Sequence, residues 1–375
     1  MSPTYLRCLF VLCVAASLAT SSIAQADGPP AGSVELAAEI NARLAAHWKE
    51  RGVQPADRAS DAEFVRRLAL DLLGRVPTRA EAEAFLSDSA NDKRAAWIER
   101  WMQSPEHDLQ LGVVLDAMVQ GRYAGDAEFL AFLREARRDD LPWNETFRRI
   151  MVGPWEKDAD RRAAGFLRKR IRNLDELTND TSRAFFGVNV SCAKCHDHPL
   201  VSDWKQEHYY GLQSFLSRTY EDKKQKLLAE KKSGEVQFVD TQGKQHTAQL
   251  MFLSGQVVEA DGQPEDAPAF SPRAALVNLA LEQQTFFSRA VVNQIWASLM
   301  GRGLVEPLDQ MHSENPPSVP GLLEWLADDL AANNYNLDRL VAGIVLSHAY
   351  QHSSRYSAEL PRPEPGDFAV ASVRP

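Results

Sequence analysis

The chain is cut into short apolar stripes of helical period, most of them opened by a capping residue and closed by glycine or proline. Ser60-x-x-Glu63 reads as a capping box before Phe64, Val65, Leu68, Ala69 and Leu72, which share one helix face. Gly74 stops that helix and Pro77 enforces a turn. Thr78-x-x-Glu81 is a second box, and Asp92 to Gln103 reads as a third helix, broken at Ser104-Pro105. Further stretches run near 106–120, 126–138, 143–151 and 160–171, then from Leu174 to Phe186, ended by Gly187. Stripes this short are unstable alone in water, so they have to pack on one another. Trp97, Ile98, Trp101 and Met102 are therefore assigned to a core rather than to a cofactor.

The pattern predicts a mainly α fold of two helical blocks, joined by a charged segment with a small β-hairpin insertion. At 375 residues the chain is long enough for such a division. The first block spans 27–220. The segment 221–266 opens with the charged run Asp222 to Lys232. It continues with Glu235 to Asp240 and Gln245 to Phe252 flanking Thr241-Gln242-Gly243-Lys244, a hairpin signal closed by Asp261-Gly262-Gln263-Pro264. The second block, 267–375, starts at Ser271-Pro272, a cap with proline at the first helical position. Helices are expected over Phe286 to Met300, Leu322 to Leu330 and Leu337 to Tyr350, before an extended proline-rich tail from Pro361. There is no internal repeat, phosphate-cradling glycine loop, H-E-x-x-H or G-x-S-x-G.

The amino terminus reads as a secretory signal peptide over residues 1–26. Arg7 precedes the apolar run Cys8 to Leu18, and Ala24-Gln25-Ala26 is a cleavage site. The run is too short to span a membrane well, so no stable span is expected after cleavage. Export to a periplasm or the extracellular space follows. Of the four cysteines, Cys8 and Cys13 leave with the signal, and the mature chain keeps only Cys192 and Cys195. The formal charge of −9 becomes more negative by one as Arg7 is lost, which argues against a nucleic-acid partner.

Those two cysteines lie in Cys192-Ala193-Lys194-Cys195-His196, followed by Asp197-His198-Pro199. The C-x-x-C-H pattern is the sequence form of covalent c-type haem attachment. Thiols at this spacing reach the two vinyl groups of one porphyrin, and the adjacent His196 offers its imidazole to the iron. One covalent haem c makes the chain an electron carrier with a redox partner protein. His198 lies too close in sequence to reach the opposite haem face, so Met251, Met300, Met311, His208 and His312 are the candidates for a sixth ligand. The alternative is a structural zinc site with Cys192, Cys195 and His198, joined by His196 or His208, and with Asp197 orienting a histidine. That would make the chain a binding or scaffold module without redox activity. A plain disulfide is the third reading. The lack of a surrounding βαβ pattern argues against a thioredoxin-like enzyme. Asp203 is expected to cap a helix bearing Trp204, His208, Leu212, Phe215 and Leu216, which places the cysteine turn between two helices.

Residues 131–172 hold twelve Lys and Arg against seven Asp and Glu. Arg168, Lys169, Arg170 and Arg172 stand just upstream of the motif, facing either haem propionates, an acidic partner or simply solvent. The solvated face is the simpler assignment. His312, Glu314 and Asp328 supply acid–base chemistry in principle, but no spacing singles them out, and no catalytic residues are assigned.

With these blocks in view the chain resembles a family of secreted planctomycete proteins called cytochrome-like, which pair two adjacent domains of unknown function. The first block is similar through Phe64-Val65-Arg66-Arg67-Leu68-Ala69-Leu70-Asp71-Leu72-Leu73-Gly74-Arg75-Val76-Pro77-Thr78 and Asp92-Lys93-Arg94. The centre is similar through Phe186-Gly187-Val188, the motif from Cys192 to Pro199, Trp204 and Tyr209-Tyr210-Gly211-Leu212. The second block is similar through Arg289 to Trp296, Gly301 to Pro307, Pro316-Pro317-Ser318 and Leu322 to Ala327. The resemblance implies membership rather than mechanism. Gln294 stands where arginine is usual and His208 where an acid is usual. The chain stops near Val373-Arg374-Pro375, where relatives continue, so the second domain is expected to be incomplete.

Overall fold

A computed structural model describes residues 29–373, apart from 156, 200, 223, 225, 226, 260–269, 358 and 360. The signal-peptide reading and Asp261 to Pro264 lie outside the described residues. In chain order the first helices are α1 (Ser33–Arg51), α2 (Asp61–Leu73), α3 (Arg79–Ser87), α4 (Lys93–Met102) and α5 (Pro105–Gln120). They continue with α6 (Ala127–Arg138), α7 (Trp143–Met151), α8 (Asp158–Arg161), α9 (Gly165–Arg170), α10 (Leu174–Phe186) and α11 (Gln206–Leu216). Three separate two-stranded antiparallel hairpins follow: β1 (Thr219–Asp222) with β2 (Leu227–Glu230), β3 (Gln237–Val239) with β4 (Gln245–Thr247), and β5 (Leu250–Met251) with β6 (Val257–Val258). The last helices are α12 (Pro272–Gln283), α13 (Thr285–Met300), α14 (Leu322–Ala332) and α15 (Leu337–Leu346). The fold is mainly α with small hairpins, as the pattern predicts.

Local chemistry explains the boundaries, with five corrections. The Thr78–Glu81 box is complete: Thr78 N–H donates to Glu81 Oε2 at 2.7 Å and Thr78 Oγ1 accepts from Glu81 N–H at 3.3 Å. The Ser60 box is only half made. Ser60 Oγ accepts from Glu63 N–H, but the Glu63 carboxylate turns away to Arg67, Ser353 and Ser354. The stretch expected as one helix over 160–171 breaks into α8, a 3-10 turn at Arg162–Ala164 and α9. Gly165 opens α9, where a Cβ would come within 3.1 Å of Phe129. Helix α15 ends at Leu346, four residues early, because Ser347 is extended and its hydroxyl caps the Ile344 carbonyl at 2.6 Å. The charged run from Asp222 is not a bare link: it supplies β2, paired with β1, and Glu230 is drawn onto the start of α12 by Arg273. The tail is not simply extended: it turns at Pro365–Asp367 and buries Phe368 edge-on against Trp296.

The two sequence blocks share one apolar cluster, running from Leu36 and Leu44 through Phe147, Phe166 and Phe185 to Trp296, Leu323 and Ile344. Helix α1 lies along α15, so the first helix and the last one are packing partners. Polar groups complete the seam. Arg67 donates to the carbonyls of Tyr350 at 2.6 Å and His352 at 2.9 Å. The Tyr350 hydroxyl donates to Asp71 at 2.7 Å. His47 and Arg51 both reach Asp367 Oδ1, at 3.0 and 2.8 Å. His107 and the buried Arg137 meet at Asp338. Among the described residues no helix is long and apolar enough to cross a membrane.

Asp338 is the carboxylate that compensates Arg137 in this seam. Asp338→Ala should lower stability by about 3 kcal/mol, because it leaves a buried guanidinium without its counter-charge. Urea denaturation measures this; a loss under about 1 kcal/mol would show that the seam does not depend on the pair.

Candidate functional site

The motif is a short 3-10 turn, Ser191–Lys194, pinned at its centre. Ala193 is fully buried, as are Val188 and Val190 before it, while Cys192 and Cys195 on either side are exposed. Gly187 ends α10 at a φ of 66°, and a Cβ there would come within 2.9 Å of Met311 Sδ. Asn189 Oδ1 then accepts from Ser191 N–H and Oγ–H, setting up the turn. One small apolar anchor in the core thus presents two thiols outward from the same turn. Both cysteines are free thiols, so the plain disulfide is not formed.

His196 follows, exposed, with Nδ1 2.7 Å from the Asp197 carbonyl oxygen. A carbonyl only accepts, so Nδ1 carries the proton and Nε2 keeps its lone pair. Asp197 orients a histidine as expected, but through its backbone. Its carboxylate instead accepts from Gln206 N–H at 3.0 Å, at the start of α11. That corrects the assignment of Asp203 as the cap. Asp203 binds Ser313 of the second block, through N–H at 2.8 Å and Oγ–H at 2.6 Å. The helix also starts later than expected, at Gln206, leaving Trp204 in the preceding turn.

Around the turn is a polar clamp that the sequence does not announce. Lys194 Nζ pairs with Asp175 Oδ2 at 2.6 Å. Asp175 Oδ1 also accepts from Tyr209 Oη–H at 2.7 Å and Gln213 Nε2–H at 3.0 Å. Burial works to raise the Asp175 carboxyl, and the bonds from Lys194, Tyr209 and Gln213 outweigh it, holding it below the ordinary range. The Lys194 ammonium is raised, first by its bond to Asp175. Burial and then that same carboxylate push the Tyr209 hydroxyl up. The Lys194 carbonyl accepts from Tyr210 Oη–H at 3.0 Å and Gln206 Nε2–H at 3.3 Å. The Tyr210 ring stacks on Phe238 at 4.4 Å, and Phe238 on its cross-strand neighbour His246 at 5.2 Å. The β3–β4 hairpin therefore leans on α11 beside the motif. The hairpin was legible; its docking was not, because nothing local in Phe238 or Tyr210 names the other.

The candidate sixth ligands scatter. His208 Nδ1 accepts from Lys205 N–H at 3.1 Å, the return half of a helix cap, so its proton sits on Nε2. Burial holds this imidazole below its usual value, hence neutral. In this arrangement His208 offers no lone pair to a metal. Met311 packs on Gly187, and Met251 against Gly211. Met300 shares a cavity wall with Arg67 and Tyr350. His312 is half-buried, with Nδ1 lacking a hydrogen-bond partner. Among the described residues no three His, Cys, Asp or Glu side chains converge to hold a metal ion, so Cys192, Cys195 and His198 are not gathered into a closed zinc site. Of the four upstream basic residues, Arg172 is exposed and the other three lie beside acids. Arg170 is buried on Asp180 at 2.6 Å, Lys169 pairs with Asp126 at 2.8 Å, and Arg168 lies 3.8 Å from Glu221.

Residues 39–221 match the profile of a family described as a protein of unknown function (DUF1549), with the short name PSCyt2. Residues 272–374 match a second, also described as a protein of unknown function (DUF1553), with the short name PSD1. The chain is thus similar to paired domains of unknown function, with the cysteine motif inside the first matched segment and hairpins β3–β4 and β5–β6 between the two. No curated protein and no solved structure matches the chain.

Two predictions test this geometry. In Gly211→Ala the new Cβ would lie 2.7 Å from the Met251 carbonyl oxygen, so α11 and β5 must separate. A loss of about 1–3 kcal/mol in chemical denaturation is expected, and unchanged stability would contradict the close approach. The Asp175 carboxyl is lowered by folding, so its stabilisation is present above about pH 4 and fades as pH falls through the lowered value. Asp175→Asn should flatten that acid limb of the stability–pH curve, and an unchanged limb would exclude the clamp.

Proposed function

We propose that this chain is an exported c-type cytochrome-like electron carrier, with one haem held covalently by Cys192 and Cys195 and ligated by His196. The observation that carries the reading is the pair of free, outward-facing thiols on one anchored turn, next to an imidazole whose Nδ1–H is already committed to a backbone carbonyl. That commitment is the usual state of a metal-binding histidine, in which the outer hydrogen bond fixes the tautomer and leaves the other nitrogen as donor. Thioether formation consumes thiols rather than a disulfide, so the cysteines must be reduced when the group arrives. Loss of Cys8 and Cys13 with a cleaved signal would leave them no other cysteine to pair with.

When bound, haem c supplies a one-electron couple. The chain's own residues position it. Ala193 fixes the turn in the core, Lys194 and Asp175 hold its flank, and Asp197 ties the histidine to the start of α11. The thiol face is open to solvent, which suits exchange with a redox partner protein at the surface. A second residue that would hold the group is not assigned; of the four remaining candidates, Met311 and His312 lie on the second-block segment that reaches the motif's flank through Ser313 and Asp203.

The test is expression with a cytochrome-maturation system, followed by a visible spectrum, a denaturing gel stained for haem peroxidase activity, and metal analysis. The expected result is a Soret band and a stained band that is lost in Cys192→Ala. A colourless, unstained protein ends the reading, and one zinc per chain in that protein would replace it with a structural metal site.

A further inference from the structure

A second site lies across the molecule's seam, on residues that play no part in the cysteine turn. A cavity of about 490 Å³ opens between the end of α1, the segment before α2, the start of α4 and the turn after α15. Both sequence blocks contribute walls. The volume falls in the range of small-ligand sites. Trp48 and Leu346 form an apolar side, while Arg58, Arg94, His348 and Gln351 form a polar one.

The charges on that polar side do not cancel. Arg94 is buried and compensated, with Nη2 2.9 Å from Asp61 Oδ1 and 2.5 Å from the Ala59 carbonyl. Arg58 has no ion pair among the described residues; its guanidinium donates to a neutral amide, Gln351 Oε1, at 3.1 Å. That single oxygen is shared with Arg94 Nη1 at 3.4 Å. Two guanidiniums thus compete for one weak acceptor. Burial lowers the Arg94 guanidinium, and the Arg58 charge lowers it further among the lesser causes. Beside them His352 packs its ring on Trp48 at 5.4 Å, and its buried Nε2 has no hydrogen-bond partner. Burial first, then the His348 charge, depresses this imidazole to about 4, so it is neutral and adds no positive charge of its own. Asp92 is the one acid on the wall, and it makes no ion pair with Arg58. Elsewhere along the seam the arginines find carboxylates: Arg67 has Glu63, Arg137 has Asp338 and Arg51 has Asp367.

We propose that this cavity binds a small organic monocarboxylate with a flat apolar body. The carboxylate takes the fork of Arg58, replacing the shared amide oxygen, and the body lies against Trp48 and Leu346. One uncompensated guanidinium matches a monoanion, and the tryptophan wall favours a planar group over a hydrated ion.

Calorimetric titration of the full mature chain with 2-naphthoate tests this, beside neutral 2-naphthamide and inorganic phosphate. Saturable 1:1 binding of naphthoate is expected, with amide and phosphate weaker by at least about tenfold. Arg58→Gln should weaken naphthoate by at least about tenfold, while Arg79→Gln, on the exposed side of α3, should not. His348→Glu, at an exposed position, places a competing carboxylate in the cavity and should weaken binding likewise, giving a second variant should Arg58→Gln misfold. The proposal is overturned by absence of binding up to about 5 mM, by either cavity variant binding like wild type, or by amide or phosphate binding as tightly as naphthoate.

Discussion

Most helices here are too short to hold their shape alone in water, so their stability comes from the shared core. The decisive contact is therefore the one that closes the circuit, the packing of α1 along α15. It brings residues near 40 and near 345 into one layer, so the first and second family segments are not beads on a string. The polar groups at that seam follow from this closure. Once Leu36, Ile40 and Leu44 are buried against α15, His47 and Trp48 are carried to Asp367, and Arg67 to the carbonyls after α15. These are charge-assisted or buried hydrogen bonds, each of which would leave a costly orphan if the seam opened. They make its geometry specific as well as stable.

How much of this was legible depends on range. Helix positions were, since caps and stops act within a few residues: Thr78 with Glu81, Ser271 with Pro272, and Gly187 at a left-handed φ all do locally what the sequence says. Where the reading slipped, a distant partner had intervened. Glu63 has the right spacing to return to Ser60, yet Arg67, Ser353 and Ser354 give it stronger bonds. Asp203 looks like a cap and serves as a tether to Ser313, while Asp197, six residues earlier, takes the helix start. Glu230 sits in a charged run that reads as solvated, until Arg273 from the next helix pulls it inward. No local pattern encodes these choices.

The motif illustrates the same division. That Cys192, Cys195 and His196 share a turn follows from spacing alone. That the thiols face outward follows from Ala193, whose burial fixes which side of the turn meets the core. Alanine between two cysteines carries no sign of this by itself; the valines at 188 and 190 are the weak signal that the approach is buried. The clamp of Lys194, Asp175, Tyr209 and Gln213 spans α10, the turn and α11, so it appears only once those helices are packed.

His196 and His208 show why residue type is a poor guide to ligand function and hydrogen-bond direction a better one. His196 gives its Nδ1 proton to a carbonyl and so keeps a donor lone pair at Nε2, on an exposed ring. His208 receives a backbone N–H at Nδ1 and so carries its proton at Nε2, within a helix cap. The same side chain thus keeps a free lone pair in one place and spends it in the other, and the difference is made by whether the nearest backbone group accepts or donates. His208 occupies the cap position that glutamate or glutamine more often fills, and an acid there would perform the same task. This explains why a histidine at 208 need not signal a metal. It also concentrates the chemical case on Cys192, Cys195 and His196, three exposed residues in or beside one turn.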